Sequence, residues 1–381
     1  LIHKYDVALV GGGITGLMAA QKLSDIGMRV VLIEKHATFA SGPSTRNEGW
    51  LHRGTYHAAS IRDRATALQV ASRCIYGHEQ LRRFSPEALE DIDVKPLVLI
   101  RAEDRVSEVV SRWDEAEVRY RPISLSAAKA RIPAANFDNA AAVFEADDVS
   151  LNTRLLYRKL HALARKAGCD FFVGAEILRI EGQAATIKDM DGRINAVEAQ
   201  KFVYSAGTGA KSAFQEYHNI ELPIRYWKSH LVVTKRLASA GVFYVDAHEA
   251  AMMHHGQMSI VGLNEDAMLC HAPSYDVVPD RAQNLRNAIR RIFPDWIGED
   301  AVDIACTKVD LVSDTDSARS LNIAIREPKP GHICVLPGKM TEAPYLTDVL
   351  TSYLHHHLDD SPISMRPCDE FVREEAPLKV A

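Results

Sequence analysis

The stretch that decides the fold runs from Asp6 to Glu34. It reads Asp6-Val7-Ala8-Leu9-Val10, then Gly11-Gly12-Gly13-Ile14-Thr15-Gly16, and, after a helical segment, Val30-Val31-Leu32-Ile33-Glu34. Residues 7–10 form an unbroken apolar run, the mark of a strand buried on both faces. The run ends directly on glycines. Gly16, Ala20 and Leu23 recur at helical spacing, and Gly27 closes the helix. The second apolar run ends on an acid about twenty residues past the glycines. Each residue type has a task. Gly11 permits a tight turn, Gly13 lets backbone amides approach a pyrophosphate, and Gly16 lets the helix lie close to the strand. The helix start at Ile14 and Thr15 offers unpaired N–H groups and partial positive charge to those phosphates. Glu34 accepts hydrogen bonds from a ribose diol. Glycines alone would be weak evidence. Strand, turn, helix, strand and acid in register point to a dinucleotide-binding unit.

The chain around this unit has 381 residues, too long for one ordinary core, so two domains are expected. A hydrophobic share of 47% with 25% charged residues is that of a globular protein. A formal net charge of -5 gives no basic field for nucleic acid. No apolar run is long enough to cross a bilayer, and no signal-peptide pattern is present. The six cysteines are scattered without redox or metal spacing, which suits a reducing cytoplasm and no disulfide.

The nucleotide unit ends near His36. The loop that follows, residues 41–57, is small, polar and punctuated by glycine, yet it carries two histidines, two arginines and a tryptophan. So dense a set on a loop after a cofactor strand points to function. Residues 61–84 read as a helix. Residues 94–100 and 143–145 read as strands outside the parallel rhythm, with helices at 106–118 and 126–131 between them. A helix follows Asn152. Residues 177–180, 185–188 and 194–197 form a small antiparallel meander with an Asp191-Gly192 turn. A separate strand, 201–207, ends on a second glycine turn, Gly207-Thr208-Gly209. After antiparallel strands at 231–234, 242–245 and 258–262 and a helix from Arg281, a third strand–turn–helix appears. It is Ile333-Cys334-Val335-Leu336, then Pro337-Gly338-Lys339-Met340-Thr341.

This layout resembles the D-amino-acid oxidase superfamily of FAD-dependent oxidoreductases over the chain to about residue 355. Residues 44–56 are similar to the Arg-Asn-Ser-Gly-x-x-His-x-Gly-x-Tyr loop of L-2-hydroxyglutarate dehydrogenases. Arg46, Asn47, Gly49, His52, Gly54 and Tyr56 match, and Glu48 replaces the serine. The Gly338-Lys339-Met340-Thr341 turn is similar to the Gly-Lys-x-Thr turn of glycerol-3-phosphate dehydrogenases. The resemblance implies a mixed α/β and α+β fold, a Rossmann-like FAD-binding domain interleaved with a mostly antiparallel-sheet substrate domain. The implied FAD domain is residues 1–85, 145–218 and 306–360, the substrate domain 86–144 and 219–305, and 361–381 a tail. The implied FAD contacts, beyond Gly11, Gly13, Ile14, Thr15, Gly16 and Glu34, are Lys35, Ser44, Thr45, Arg46, Asn47, Gly49, Trp50, Leu51, Ile177, Ala206, Gly207, Gly338, Lys339, Met340 and Thr341. Family members often carry Gly-Arg before the last return, where the arginine binds a substrate carboxylate. Here that stretch reads Cys306-Thr307-Lys308-Val309, so Lys308 keeps a cation but loses the two-point grip. Sarcosine-type oxidases attach flavin to a cysteine in this region, which makes Cys306 a candidate link, with non-covalent FAD the expected state.

By the same resemblance the flavin lies between the domains, its ring edge near Trp50-Leu51 and the Gly338 turn. The helix start at Thr341, with Lys339, would stabilise negative charge on the ring. His52 is the candidate base on the substrate side, because oxidising an alcohol removes the hydroxyl proton as hydride leaves, and a neutral imidazole suits that role. Arg53 and Lys308 are candidates for a substrate carboxylate. His254-His255 lies between strands, so only one of the two can face a pocket. His355-His356-His357 fans around a helix and makes a poor metal site; no metal is expected. The reading is hydride transfer from a small polar, 2-hydroxy-acid-like substrate to flavin N5, with oxygen or a quinone as electron acceptor. Oxidation of a CH–NH bond in an amino acid or secondary amine is the alternative. A flavin monooxygenase would need a second phosphate-binding unit for its nicotinamide, which this sequence does not show, and a non-catalytic FAD-binding protein has no need of the charged aromatic loop.

Overall fold

The computed structural model describes residues 2–263, 267–312 and 321–358. The expected tail, 361–381, lies outside the described residues. The chain divides into two compact units. The first comprises Leu1–Thr45, Arg154–Tyr226 and Lys308–Ala381, and the second Arg46–Thr153 and Trp227–Thr307.

The first unit is built on a sheet whose parallel core contains five strands, in the spatial order His332–Leu336, Ile194–Tyr204, Ile2–Val10, Val30–Glu34 and Asp170–Val173. Residues 7–9 and 30–32 are fully buried, as their unbroken apolar sequence requires. The register aligns the strand ends. Val10 pairs with both Ile33 and Tyr204, and Tyr204 pairs with Cys334. The turns at Gly11, Ala206-Gly207 and Gly338 therefore leave the same carboxyl edge of three adjacent strands, the edge where open α/β sheets bind ligands. Helix Ile14–Asp25 packs beside helix Ala343–His357.

One expectation here is corrected. Residues 194–197 and 201–207 are not two elements. They belong to a single strand, Ile194–Tyr204, whose first part pairs antiparallel with Ala184–Lys188 and whose last part pairs parallel with His332–Leu336. The segment between them, Glu198-Ala199-Gln200, carries no turn residue to break it.

The second unit has a nine-stranded, mostly antiparallel sheet with a core on each face. Leu97 and Leu99 face helix Pro279–Ile292, while Val98 and Ile100 face Trp113 and the helices of residues 55–84. The expected domain boundary near residue 85 moves to residue 45, because residues 46–85 are tied into this second unit. Trp50–Leu51 pairs with Val149–Leu151. Trp113 Nε1 donates to Thr55 O at 2.8 Å, and Arg112 Nη1 to Ile61 O at 2.6 Å. The helix expected over 61–84 is a single helix, Arg64–Phe84, preceded by a separate short one. Thr55–Ser60 ends, the backbone turns, and Arg64–Phe84 starts with Asp63 accepting from Thr66 N–H at 2.8 Å.

Candidate active site

At the carboxyl edge of the first unit, the glycines fit as their positions require. Gly11 has φ +107°, and a Cβ there would stand 2.7 Å from Ala206 Cα. A Cβ on Gly16 would stand 1.9 Å from Gly11 O and 2.7 Å from Ser205 Oγ. The helix of residues 14–25 thus starts with its backbone directly on the turn. Glu34 takes Gly12 N–H at 2.7 Å on one carboxylate oxygen and His36 N–H at 2.8 Å on the other. Ser44 Oγ accepts from Ile14 N–H at 3.0 Å, so the loop of residues 38–45 is folded over the helix start. Thr45 Oγ1 holds the same loop by donating to Ala40 O at 2.7 Å. Thr15 Oγ1 is buried with no hydrogen-bond partner among the described residues. A cradle that no Cβ can enter, amides at a helix start and an orphaned buried hydroxyl are what a bound pyrophosphate would satisfy.

The third turn has its own polar set. Lys339 Nζ is buried with no hydrogen-bond partner among the described residues, and its near neighbour is Glu342 Oε2 at 3.7 Å. Glu342 is fully buried at the start of helix Ala343–His357, and a Cβ on Gly338 would lie 2.7 Å from its carboxylate. The cation expected at this turn is thus partly offset by the Glu342 carboxylate. Tyr157, on helix Thr153–Lys166, links this turn to the first. Its hydroxyl donates to Ser44 O and lies 3.6 Å from Met340 Sδ. Burial holds the Tyr157 phenol well above its ordinary pKa, so it remains a donor. Thr341 is fully buried, Ala206 and Gly207 are half-buried, and Lys35 is exposed. Ile177 is buried, and its carbonyl accepts from Tyr217 at 3.1 Å.

In the second unit the loop of residues 46–57 closes around Asp148, which is 1% exposed. Asp148 Oδ1 accepts from Trp50 Nε1 at 2.9 Å and Arg53 N–H at 3.0 Å, and Oδ2 accepts from Thr55 Oγ1. His52 Nδ1 stands 3.8 Å from the same Oδ1. Burial pushes the Asp148 carboxyl up, but His52, Thr55 and the Arg53 amide together more than offset it and hold the group below its ordinary range. The His52 ring lies 4.3 Å from Trp50 and edge-on to His57 at 4.5 Å. Several expected contacts turn inward here. The Trp50 indole packs in the core against Phe243, and Leu51 is fully buried. Arg53 is 4% exposed, with Nε 3.5 Å from Glu79, and burial and the nearby Arg119 lower its pKa. Its guanidinium therefore faces an internal acid, not an open surface.

Other residues hold this loop. Asn47 Oδ1 accepts from Gly49 N–H at 2.8 Å, and Arg46 lies over the Tyr275 ring at 4.7 Å. His255 bridges Glu90 and Glu48 O and sits where a Cβ on Gly49 would be, 2.4 Å from its Cε1. His254 faces the other way, satisfied by Ser259 Oγ and Ala240 O at 2.8 Å each. On strand Val302–Leu311, Cys306 is fully buried and Lys308 half-buried. His355 and His356 are exposed on their helix. Among the described residues no group of His, Cys, Asp or Glu is placed to hold a metal, and no helix is long and apolar enough to cross a membrane. Asp148 and Tyr157 were missed by sequence reasoning. The one readable signal was Asp147-Asp148 in a tight link between two apolar strands.

A family model described as FAD dependent oxidoreductase matches residues 6–334. One component of the anaerobic glycerol-3-phosphate dehydrogenase of Escherichia coli (strain K12) is 26% identical over 237 residues, which cover 60% of this chain and 42% of that protein. The chain thus spans less than half the length of this curated relative. Among solved structures, L-alpha-glycerophosphate oxidase from Mycoplasma pneumoniae with FAD bound superposes with a TM-score of 0.74 at 16% identity, covering 96% of each chain. Glycine oxidase from Geobacillus kaustophilus gives 0.72 at 18% identity, covering 93% of this chain and 95% of its own. These two likenesses establish the fold. With the family model spanning both units, the chain belongs to the FAD-dependent oxidoreductases of the D-amino-acid oxidase family.

Proposed function

We propose that this FAD-dependent oxidoreductase acts on the CH–OH bond of a small polar, 2-hydroxy-acid-like substrate, with His52 as the base that takes the hydroxyl proton. FAD, when bound, supplies the hydride acceptor. The first unit holds its nucleotide portion. The amides of Gly13 and Thr15 and the Thr15 hydroxyl meet the pyrophosphate, and Glu34, with a lone pair left on each oxygen, takes the ribose. Lys339 offers a buried ammonium to a polar cofactor edge, and Glu342 limits the net charge there.

The observation that carries the substrate class is His52 standing beside a buried, ionised Asp148. A proton arriving on the imidazole makes a cation next to a fixed anion in a dry interior, where the attraction is stronger than in water. Removing a hydroxyl proton needs such a group, whereas an amine that binds unprotonated does not. Of the two cations considered for a substrate carboxylate, Lys308 keeps the role, since Arg53 faces Glu79. His52→Gln is expected to slow flavin reduction by a hydroxy acid about 100-fold or more, with the flavin content unchanged. Stopped-flow reduction under anaerobic conditions measures this. An unchanged rate would remove His52 as the base.

A further inference from the structure

We propose that Asp148 is the positioning residue for His52: its buried carboxylate keeps the proton of the neutral imidazole on Nδ1 and the basic lone pair on Nε2. The catalytic half of this inference rests on His52 being the base; the tautomer half stands on geometry alone. The carboxylate is held by donors other than the imidazole. Trp50 Nε1 and Arg53 N–H hold Oδ1, and Thr55 Oγ1 holds Oδ2, so donors on both sides of His52 in the chain lock one orientation. His52 Nδ1 lies 3.8 Å from Oδ1, too long for a hydrogen bond but within ion-pair reach. A lone pair on Nδ1 would point at an anion, while an N–H there points a positive dipole at it.

The other groups around the pair do not supply this function. His57 meets the His52 ring edge-on at 4.5 Å, and its Nδ1 is 3.9 Å from Cys74 Sγ. Arg53 turns to Glu79. His78 is fully buried and kept neutral by that burial. Asp148 is an anion within ion-pair reach of the ring. If the carboxylate served only to tie residues 50–55 together, the imidazole tautomer would be indifferent to its charge.

The test uses the FAD-loaded full chain labelled with 15N-histidine. Long-range 1H–15N correlation reads the His52 tautomer, with the resonance assigned by its loss in His52→Gln. Wild type is expected to show the Nδ1-protonated form. Asp148→Asn is expected to shift it toward the Nε2-protonated form and to lower kcat about 100-fold with KM held within about threefold, measured with racemic 2-hydroxyglutarate or glycerol 3-phosphate. A neutral wild-type His52 protonated on Nε2 overturns the inference, as does an Asp148→Asn protein with the tautomer unmoved. Should Asp148→Asn fail to fold, the wild-type tautomer alone decides. Full activity in His52→Gln would sink the base assignment while leaving the tautomer result to judge Asp148 separately.

Discussion

Replacing Gly16 with alanine is expected to strip the protein of flavin and lower its unfolding free energy by about 3 kcal/mol or more. The new Cβ would sit 1.9 Å from Gly11 O and 2.7 Å from Ser205 Oγ. The first of these is backbone in the turn itself, held by Gly11 N–H donating to Ile33 O at 2.8 Å and by Ser205 Oγ donating to Gly11 O at 2.9 Å. Neither group can yield without moving the helix away from the sheet, and that motion withdraws the amides from the pyrophosphate. Gly27→Ala is the comparison. Gly27 has φ +91° but nothing within 4 Å of a Cβ, so the cost is local strain of about 1–2 kcal/mol. Flavin-to-protein ratio after gel filtration and thermal melting measure both. A Gly16→Ala protein that keeps its flavin would mean that the helix start does not hold the phosphates.

Acid is expected to unfold the chain well above the pH at which carboxylates titrate. Burial lowers His78, His254 and His332 to about 4. All three are 2% exposed or less. The unfolded chain would protonate them near 6.5. Between these values the unfolded state binds more protons, so stability falls as pH falls from about 6.5 toward 4 and is intact above that window. The loss is on the order of 3 kcal/mol per histidine at the acid end, against a typical total of about 5–15 kcal/mol. The histidines sit where the loss matters. His332 lies on the strand leading to the Gly338 turn, 3.3 Å from the Tyr204 hydroxyl, which also bonds His218 at 2.7 Å. The Asp148 contribution adds to the loss only at lower pH, as its carboxylate takes up a proton. Urea midpoints measured from about pH 7 to pH 5 should decline steadily, and His78→Leu, which removes a buried ring with no hydrogen-bond partner among the described residues, should flatten the slope. A midpoint independent of pH would contradict the assignment of these rings as neutral.

What the sequence revealed and what it hid follow from the range of the forces involved. The glycine turns, the strand before each and the acid at Glu34 were legible because backbone geometry demands particular residues at particular spacings. The convergence of the Gly11, Gly207 and Gly338 turns was legible only as a resemblance. Strand order sets it, and strand order is decided by side-chain packing between segments about 130 to 200 residues apart. The placement of residues 46–85 in the second unit was hidden for the same reason, since it rests on Trp113 and Arg112 reaching back to that segment. Arg53 illustrates a third limit. A charged residue on a polar loop reads as available to ligand, and nothing local reveals that it faces Glu79. Asp148 was hidden because the partners that give it meaning lie 93 to 98 residues away.

The most direct measurement is an anaerobic titration of the FAD-loaded protein with 2-hydroxy acids, glycerol 3-phosphate, amino acids and N-alkyl amines, following the loss of flavin colour. The account predicts bleaching by a CH–OH compound, slowed in His52→Gln. Bleaching by amines alone, or a reconstituted chain that takes up no flavin at all, would contradict it.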